Sequence, residues 1–164
     1  MIQRIQTLFL LGVAICMGLM LVFPLWEKDN DTHSKKISLD VYYLRNYVSE
    51  STEIVSWEEE QIQPVYYIAG IAGLAALLAL YSLFRYDNRK LQMKLGALNA
   101  LLIMIDVVLV VYLIYTGEKE MGQSSKGAFH VGFYLPLAAL IFNSLANRFI
   151  RKDEKLVRSV DRIR

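Results

Sequence analysis

Four apolar blocks dominate the sequence: Ile5–Leu25, Val65–Phe84, Leu95–Tyr115 and Phe129–Ile150. Each has about the 20 residues that a helix needs to cross a hydrocarbon core. Only Asp106 and Arg148 carry charge within them, whereas a helix of a soluble protein would show a polar face. The sequence predicts an all-α membrane protein, a bundle of four transmembrane helices. We expect one domain, 1–164, with helices at about 4–25, 65–85, 94–116 and 129–150.

The charges between the blocks predict an orientation. The outer segment, 26–64, has nine acidic and four basic residues, whereas 85–94 has four basic and one acidic residue. From Arg148 to the end there are seven basic and three acidic residues. Because Lys and Arg favour the cytoplasmic side, both termini and 85–94 are expected there. The chain is therefore expected to cross a membrane several times.

The outer segment is long for a connection and carries β-prone runs. Residues 37–44, Ile-Ser-Leu-Asp-Val-Tyr-Tyr-Leu, alternate apolar and polar residues, which predicts a strand. A second run, Ile54–Trp57, follows a turn at Asn46–Glu53. We expect a small outward-facing β-hairpin, either as a structured cap or as a binding surface, with Glu58–Glu60 solvated.

The tail, 151–164, contains no Gly or Pro, so the fourth helix can continue into the cytoplasm as a helical tail. Apolar residues recur at three- and four-residue steps between Arg and Lys. Such a pattern suits the anionic surface of a membrane. A nucleic-acid partner would require a denser basic patch, and none is expected.

Asp106 is the most informative residue within the apolar blocks. Ionisable groups in the middle of a membrane helix are costly and usually face the protein interior. Asn99 lies seven residues earlier on roughly the same face, and Asn143 of the fourth helix is expected at a similar depth to Asn99. These three residues form the candidate intramembrane polar site. With no Lys, Arg or His at matching depth, Asp106 is expected to be neutral, either as one buried polar contact or as part of a proton or ion relay.

Small residues recur at four-residue spacing in the second block, including the pairs Ala69/Gly73 and Ala72/Ala76. This spacing allows a neighbouring backbone to approach closely. Packing within the chain is the favoured interpretation. Self-association, or binding of other membrane proteins, through this face is the alternative.

The sequence contains no pattern that predicts chemistry. The single cysteine, Cys16, excludes an internal disulfide, and there is no His/Cys cluster for a metal. No nucleophile–base pair, HExxH or phosphate-binding glycine loop is evident. We therefore expect no catalytic residues, no metal and no cofactor, and the lipid bilayer is the one certain partner of such a chain.

Several segments resemble a known family. The opening Met-Ile-Gln-Arg-Ile-Gln-Thr-Leu-Phe-Leu, the Phe-Pro-Leu-Trp at 23–26, and the closing segment, 145–164, are similar to the bacterial domain-of-unknown-function family 4293. The resemblance implies an inner-membrane protein of four helices and supplies no site residues. The function expected is that of a structural or accessory interaction protein. The alternative is a small transporter or proton-coupled channel that uses Asp106.

Overall fold

The computed structural model describes residues 5–30, 35–48, 58–85, 88–121 and 127–161. Helices and strands within these ranges pack around a common core. In chain order they are α1 (Ile5–Met20), β1 (Trp26–Asp29), β2 (Lys35–Leu39), β3 (Tyr43–Val48), β4 (Glu58–Pro64), α2 (Tyr66–Phe84), α3 (Arg89–Met121), β5 (Ala128–Phe129) and α4 (Val131–Asp161).

The helices pack side by side through buried residues that recur at alternating four- and three-residue steps. α1 lies against α2 and α4, and α3 lies against the same two helices. This spacing is typical of helices that cross at about 20°. On α3 the buried positions with this spacing are Gln92, Gly96, Asn99, Ile103, Asp106, Val110, Leu113 and Gly117, and Ile114 is buried beside them.

Large apolar side chains cover the outer surface of the helices, for example Leu77, Val108 and Ile141, each more than 60% exposed. Lipid is the solvent that tolerates such a surface. Three helical segments of the described chain are long and apolar enough to cross a membrane: Tyr66–Phe84, Arg89–Lys119 and Val131–Lys155. This suggests a membrane protein.

The prediction of four transmembrane helices is wrong, because α1 has only 16 residues, Ile5–Met20. The first apolar block continues to Leu25, but its last residues lie beyond the end of α1 at Met20. Pro24 lacks a backbone N–H and disfavours helical geometry at Phe23. The carbonyl of Pro24 instead accepts from the backbone N–H of Gly132, at 3.1 Å, and the chain enters β1.

The prediction of an all-α protein with a two-stranded hairpin is also wrong. A five-stranded antiparallel sheet has the order β4-β3-β2-β1-β5. The predicted strand 37–44 is interrupted by a turn in which the Asp40 N–H donates to the Tyr43 carbonyl at 2.9 Å. Leu39 and Leu44 therefore pair across two strands. The alternation of apolar and polar residues did not reveal this reversal of chain direction, because apolar residues continue through the turn.

The remainder of the predicted hairpin falls partly outside the described residues. Asn46, Tyr47 and Val48 belong to β3, whereas 49–57, with the expected strand Ile54–Trp57, is not described. Every residue of β4, including Glu58–Glu60, is exposed. The acidic run is thus solvated, and it forms an edge strand of the sheet.

One face of the sheet packs on the helices around Trp26. Trp26 directly follows the first apolar block, and in the structure it is completely buried in β1. A Cβ at Gly117 of α3 would lie 3.2 Å from the indole, and one at Gly127 would overlap the indole nitrogen and lie 2.7 Å from Cε2. The two glycines therefore leave the space that the ring fills, and they fix the sheet at one end of the helices.

α4 continues without interruption past its apolar segment and ends at Asp161. The predicted helical tail therefore forms as far as that residue. The Arg89 guanidinium of α3 donates to the Asp153 carbonyl at 2.8 Å. This bond joins the extension of α4 to the start of α3, at the end of the helices opposite the sheet.

Candidate functional site

The interior of the helices contains a line of polar side chains on α3. Gln92, Asn99 and Asp106 are seven residues apart, and each is at most 2% exposed. Seven residues make about two helical turns, so the three side chains share the buried face. The three polar side chains lie in a core that is otherwise largely apolar, and the outer surface of the helices is apolar as well.

Asn99 and Asn143 lie at nearly the same depth. The side-chain amide of Asn143 donates to the Gly96 carbonyl at 2.8 Å, in the turn preceding Asn99. Asn147 lies directly over Gly96, where an added Cβ would come within 2.7 Å of its Nδ2. We call Gly96, Asn99, Asn143 and Asn147 the amide cluster. At this cluster α3 and α4 are close enough for a side-chain amide of α4 to bond a backbone carbonyl of α3.

Asp106 stands apart from the amide cluster. It lies two turns beyond Asn99, about 10 Å along the axis of α3. The buried positions next to it on α3 are Ile103 and Val110, which are apolar. Neither carboxyl oxygen of Asp106 has a hydrogen-bond partner among the described residues, and the same holds for the amide of Asn99. The structure therefore places Asn143 against the turn that precedes Asn99, and Asp106 lies two turns beyond Asn99.

Further buried polar residues lie toward the end of the helices opposite the sheet. Gln92 donates to the Ser82 carbonyl of α2 at 2.9 Å. Gln6 of α1 is 1% exposed. Sequence reasoning missed these residues because Gln92 precedes the third apolar block and Gln6 opens the first. The seven-residue spacing from Asp106 and Asn99 back to Gln92 was the signal that could have found it.

The small residues of α2 differ in how closely they are packed. Ala72 is completely buried, and Ala69 and Ala76 pack against the same core. A Cβ added at Gly73 would meet no atom within 4 Å. The alanines are thus used in packing within the chain, whereas space remains beside Gly73.

The outer face of the sheet carries charged side chains around a shallow cavity of about 240 Å³, lined by Pro24, Glu27, Lys36, Ser38, Asp40, Arg45 and Tyr47. Lys36 pairs with Glu27 at 2.7 Å, and Arg45 pairs with Asp40 at 2.8 Å. Partial burial lowers the pKa of Arg45, but Asp40 raises it, and the net pKa lies above the ordinary value. The guanidinium therefore stays charged.

These arrangements offer hydrogen bonds and charged groups to a binding partner. Within the described ranges, no group of three or more His, Cys, Asp or Glu side chains is placed to hold a metal ion. The amide cluster offers hydrogen bonds in a water-poor interior, where neighbouring helices are the nearest partners. The cavity on the sheet offers both signs of charge.

The chain was compared with known proteins. No curated protein matches it. The model of one family, described as Domain of unknown function (DUF4293), matches residues 2–163, nearly the whole sequence. The chain therefore belongs to the DUF4293 family.

Proposed function

We propose that the chain is an accessory protein of a bacterial inner membrane, and that it binds another protein through the outer face of its sheet. The observation that carries this proposal is the charged cavity around Ser38 and Arg45. It lies on the face of the sheet directed away from Trp26 and the helices. The buried polar groups, in contrast, include two that join helices of the same chain, Asn143 and Gln92.

The connections between the elements support a proposed orientation of the chain in the membrane. α1 leads into β1, β4 leads into α2, and β5 leads into α4. The sheet therefore lies opposite the basic connection 85–94, the end of α4 and the start of α1. Since basic segments favour the cytoplasm, we propose cytoplasmic termini and a sheet on the outer side.

Site-specific photocrosslinking in native membranes tests the proposal. A photoreactive residue at Ser38 should give a discrete adduct that weakens several-fold when Arg45→Gln removes the nearby charge. The same group at Lys90, which is exposed at the opposite end, is the matched control. Equal adducts at both positions, or an adduct insensitive to Arg45→Gln, would overturn the proposal.

A proton-coupled pathway through Asp106 is a second candidate. It is favoured by the complete burial of Asp106 without a hydrogen-bond partner among the described residues, because an ionisable group at such a position often marks a pathway. Against it, Ile103 separates Asp106 from the amide cluster on the same face of α3.

Proton uptake into liposomes that contain the purified protein and a pH-sensitive dye decides between the candidates. A pathway predicts uptake that is lost in Asp106→Asn and retained in Glu118→Gln, whose exposed side chain lies near the end of α3. Absence of uptake with the unmodified protein removes this candidate and leaves the accessory role.

A further inference from the structure

We propose that α4 binds an anionic glycerophospholipid, with the lipid phosphate held by Arg148, Arg151, Lys152 and Lys155. A cavity of about 560 Å³ is lined by these four residues with Ser144 and Asn147. It lies at the end of the helices opposite the sheet, away from the charged cavity on the sheet, and it adjoins the amide cluster through Asn147.

The spacing of the four basic residues places them on one face of α4. Steps of three, one and three residues keep their side chains within one side of a helix. The residues that α4 buries, such as Asn143, Ala146 and Ile150, occupy the other side. The four side chains are exposed, so they point away from the other helices.

The same face of α4 is apolar in the turns that precede Ser144. Tyr134, Leu137 and Ile141 are exposed, and with Ser144, Arg148, Arg151 and Lys155 they form a single stripe at three- and four-residue steps. Along this stripe the surface changes from apolar to cationic at Ser144. A phospholipid has the same order of parts, because its acyl chains adjoin a phosphate at the membrane surface.

The charge at this site is available for a ligand. Among the side chains that the structure describes, which on α4 extend to Lys155, no ion pair involves any of the four basic residues. Asp153 lies off the stripe, and its carbonyl accepts from Arg89. An unpaired cationic cluster beside an exposed apolar surface favours an anionic amphiphile over a free anion, because a free anion makes no use of the apolar part.

Binding to the delipidated protein in a neutral detergent tests the proposal. The probes are phosphatidylglycerol, phosphatidylcholine with the same acyl chains, and inorganic phosphate, with bound lipid counted by native mass spectrometry. Phosphatidylglycerol should bind at least roughly tenfold more tightly than phosphatidylcholine. Inorganic phosphate at the same concentration should not displace it.

A pair of matched variants shows whether the site is specific. Arg151→Gln with Lys152→Gln should weaken phosphatidylglycerol binding roughly tenfold. Lys90→Gln with Lys94→Gln removes two exposed charges from α3 and should change it less than twofold. Both variants alter exposed side chains, and unchanged helical circular dichroism verifies that they fold.

Three results would overturn the proposal. Equal weakening by the two variants would mean general attraction to a basic surface. Displacement by inorganic phosphate would mean a site for a free anion. Equal affinity for the two lipids would mean that the basic residues do not recognise the phosphate charge.

Discussion

The side chain of Asn143 on α4 donates a 2.8 Å hydrogen bond to the backbone carbonyl of Gly96 on α3. A side-chain donor reaches the carbonyl of a neighbouring helix only when the two helices are close together. Gly96 allows this approach because it has no Cβ, and Asn147 occupies the space that a Cβ would take. The contact between α3 and α4 thus depends on one small residue and two amides.

Replacing Gly96 by alanine should destabilise the protein. The added Cβ would overlap Asn147, and the helices must separate or the amide must move. We expect a loss of roughly 1–3 kcal/mol in the free energy of unfolding, measured by reversible unfolding in mixed detergent micelles. Gly70→Ala is the control, because its Cβ would meet no atom within 4 Å. Equal stability of the two variants would contradict the close approach.

Replacing Asn143 by alanine should remove the hydrogen bond to Gly96. The expected cost is roughly 0.5–1.5 kcal/mol in the same unfolding measurement, as for other hydrogen bonds between membrane helices. Ser144 is the neighbouring control, because its hydroxyl donates to Leu140 within α4 and joins no other helix. Ser144→Ala should change the stability by less than half as much, and the reverse order would refute the assigned role of Asn143.

The fluorescence of Trp26 should report a buried indole. The sequence contains two tryptophans, Trp26 and Trp57, so Trp57→Phe leaves Trp26 as the only source of tryptophan fluorescence. Because Trp26 is completely buried, its emission should be blue-shifted and poorly quenched by acrylamide. Emission at the wavelength of free tryptophan in water would show that β1 does not pack on the helices.

Enlarging Gly127 in the same single-tryptophan protein should move that emission toward the red. A Cβ at this position would overlap the indole of Trp26, and the ring would have to leave its site. Gly18→Ala provides the comparison, since its added Cβ would meet no atom within 4 Å. If Gly127→Ala leaves both emission and quenching unchanged, the two residues are not in contact.

Replacing Asp106 by leucine should stabilise the protein if the carboxyl group serves no packing role. Its two oxygens are buried without partners among the described residues, and removing such a group relieves a desolvation cost of roughly 1–3 kcal/mol. The measurement is the change in unfolding free energy in micelles, with Asn99→Leu as a parallel variant. A loss of stability in Asp106→Leu would show that Asp106 holds an interaction that leucine cannot replace.

The membrane character of the chain was predictable from the sequence, but the number of spans was not. The length and hydropathy of an apolar block can be read from that block alone, and these two properties identified α2, α3 and α4. The first block has similar composition, yet Pro24 ends helical geometry near its end and the following residues pair with distant ones. The sequence pattern of one segment does not show which distant segment pairs with it in a sheet.

The candidate site was predictable where helical spacing alone decides burial. Asn99 and Asp106 share a face because they are seven residues apart on a helix. The contact of Asn143 with Gly96 depends on how far α4 is displaced along α3, which no spacing within one helix determines. The burial of Trp26 depends on Gly117 and Gly127, about 100 residues later in the sequence, and therefore lay beyond local reasoning.

The pairing of β5 with β1 has a consequence for how the protein is made. Trp26 pairs with Phe129, and Glu27 pairs with Ala128. While the ribosome synthesises α2 and α3, the nascent chain therefore has only the strands β1 to β4, and the edge of β1 stays open. The edge closes only when β5, which directly precedes α4, has been synthesised and has paired with β1, so the sheet is completed late in synthesis.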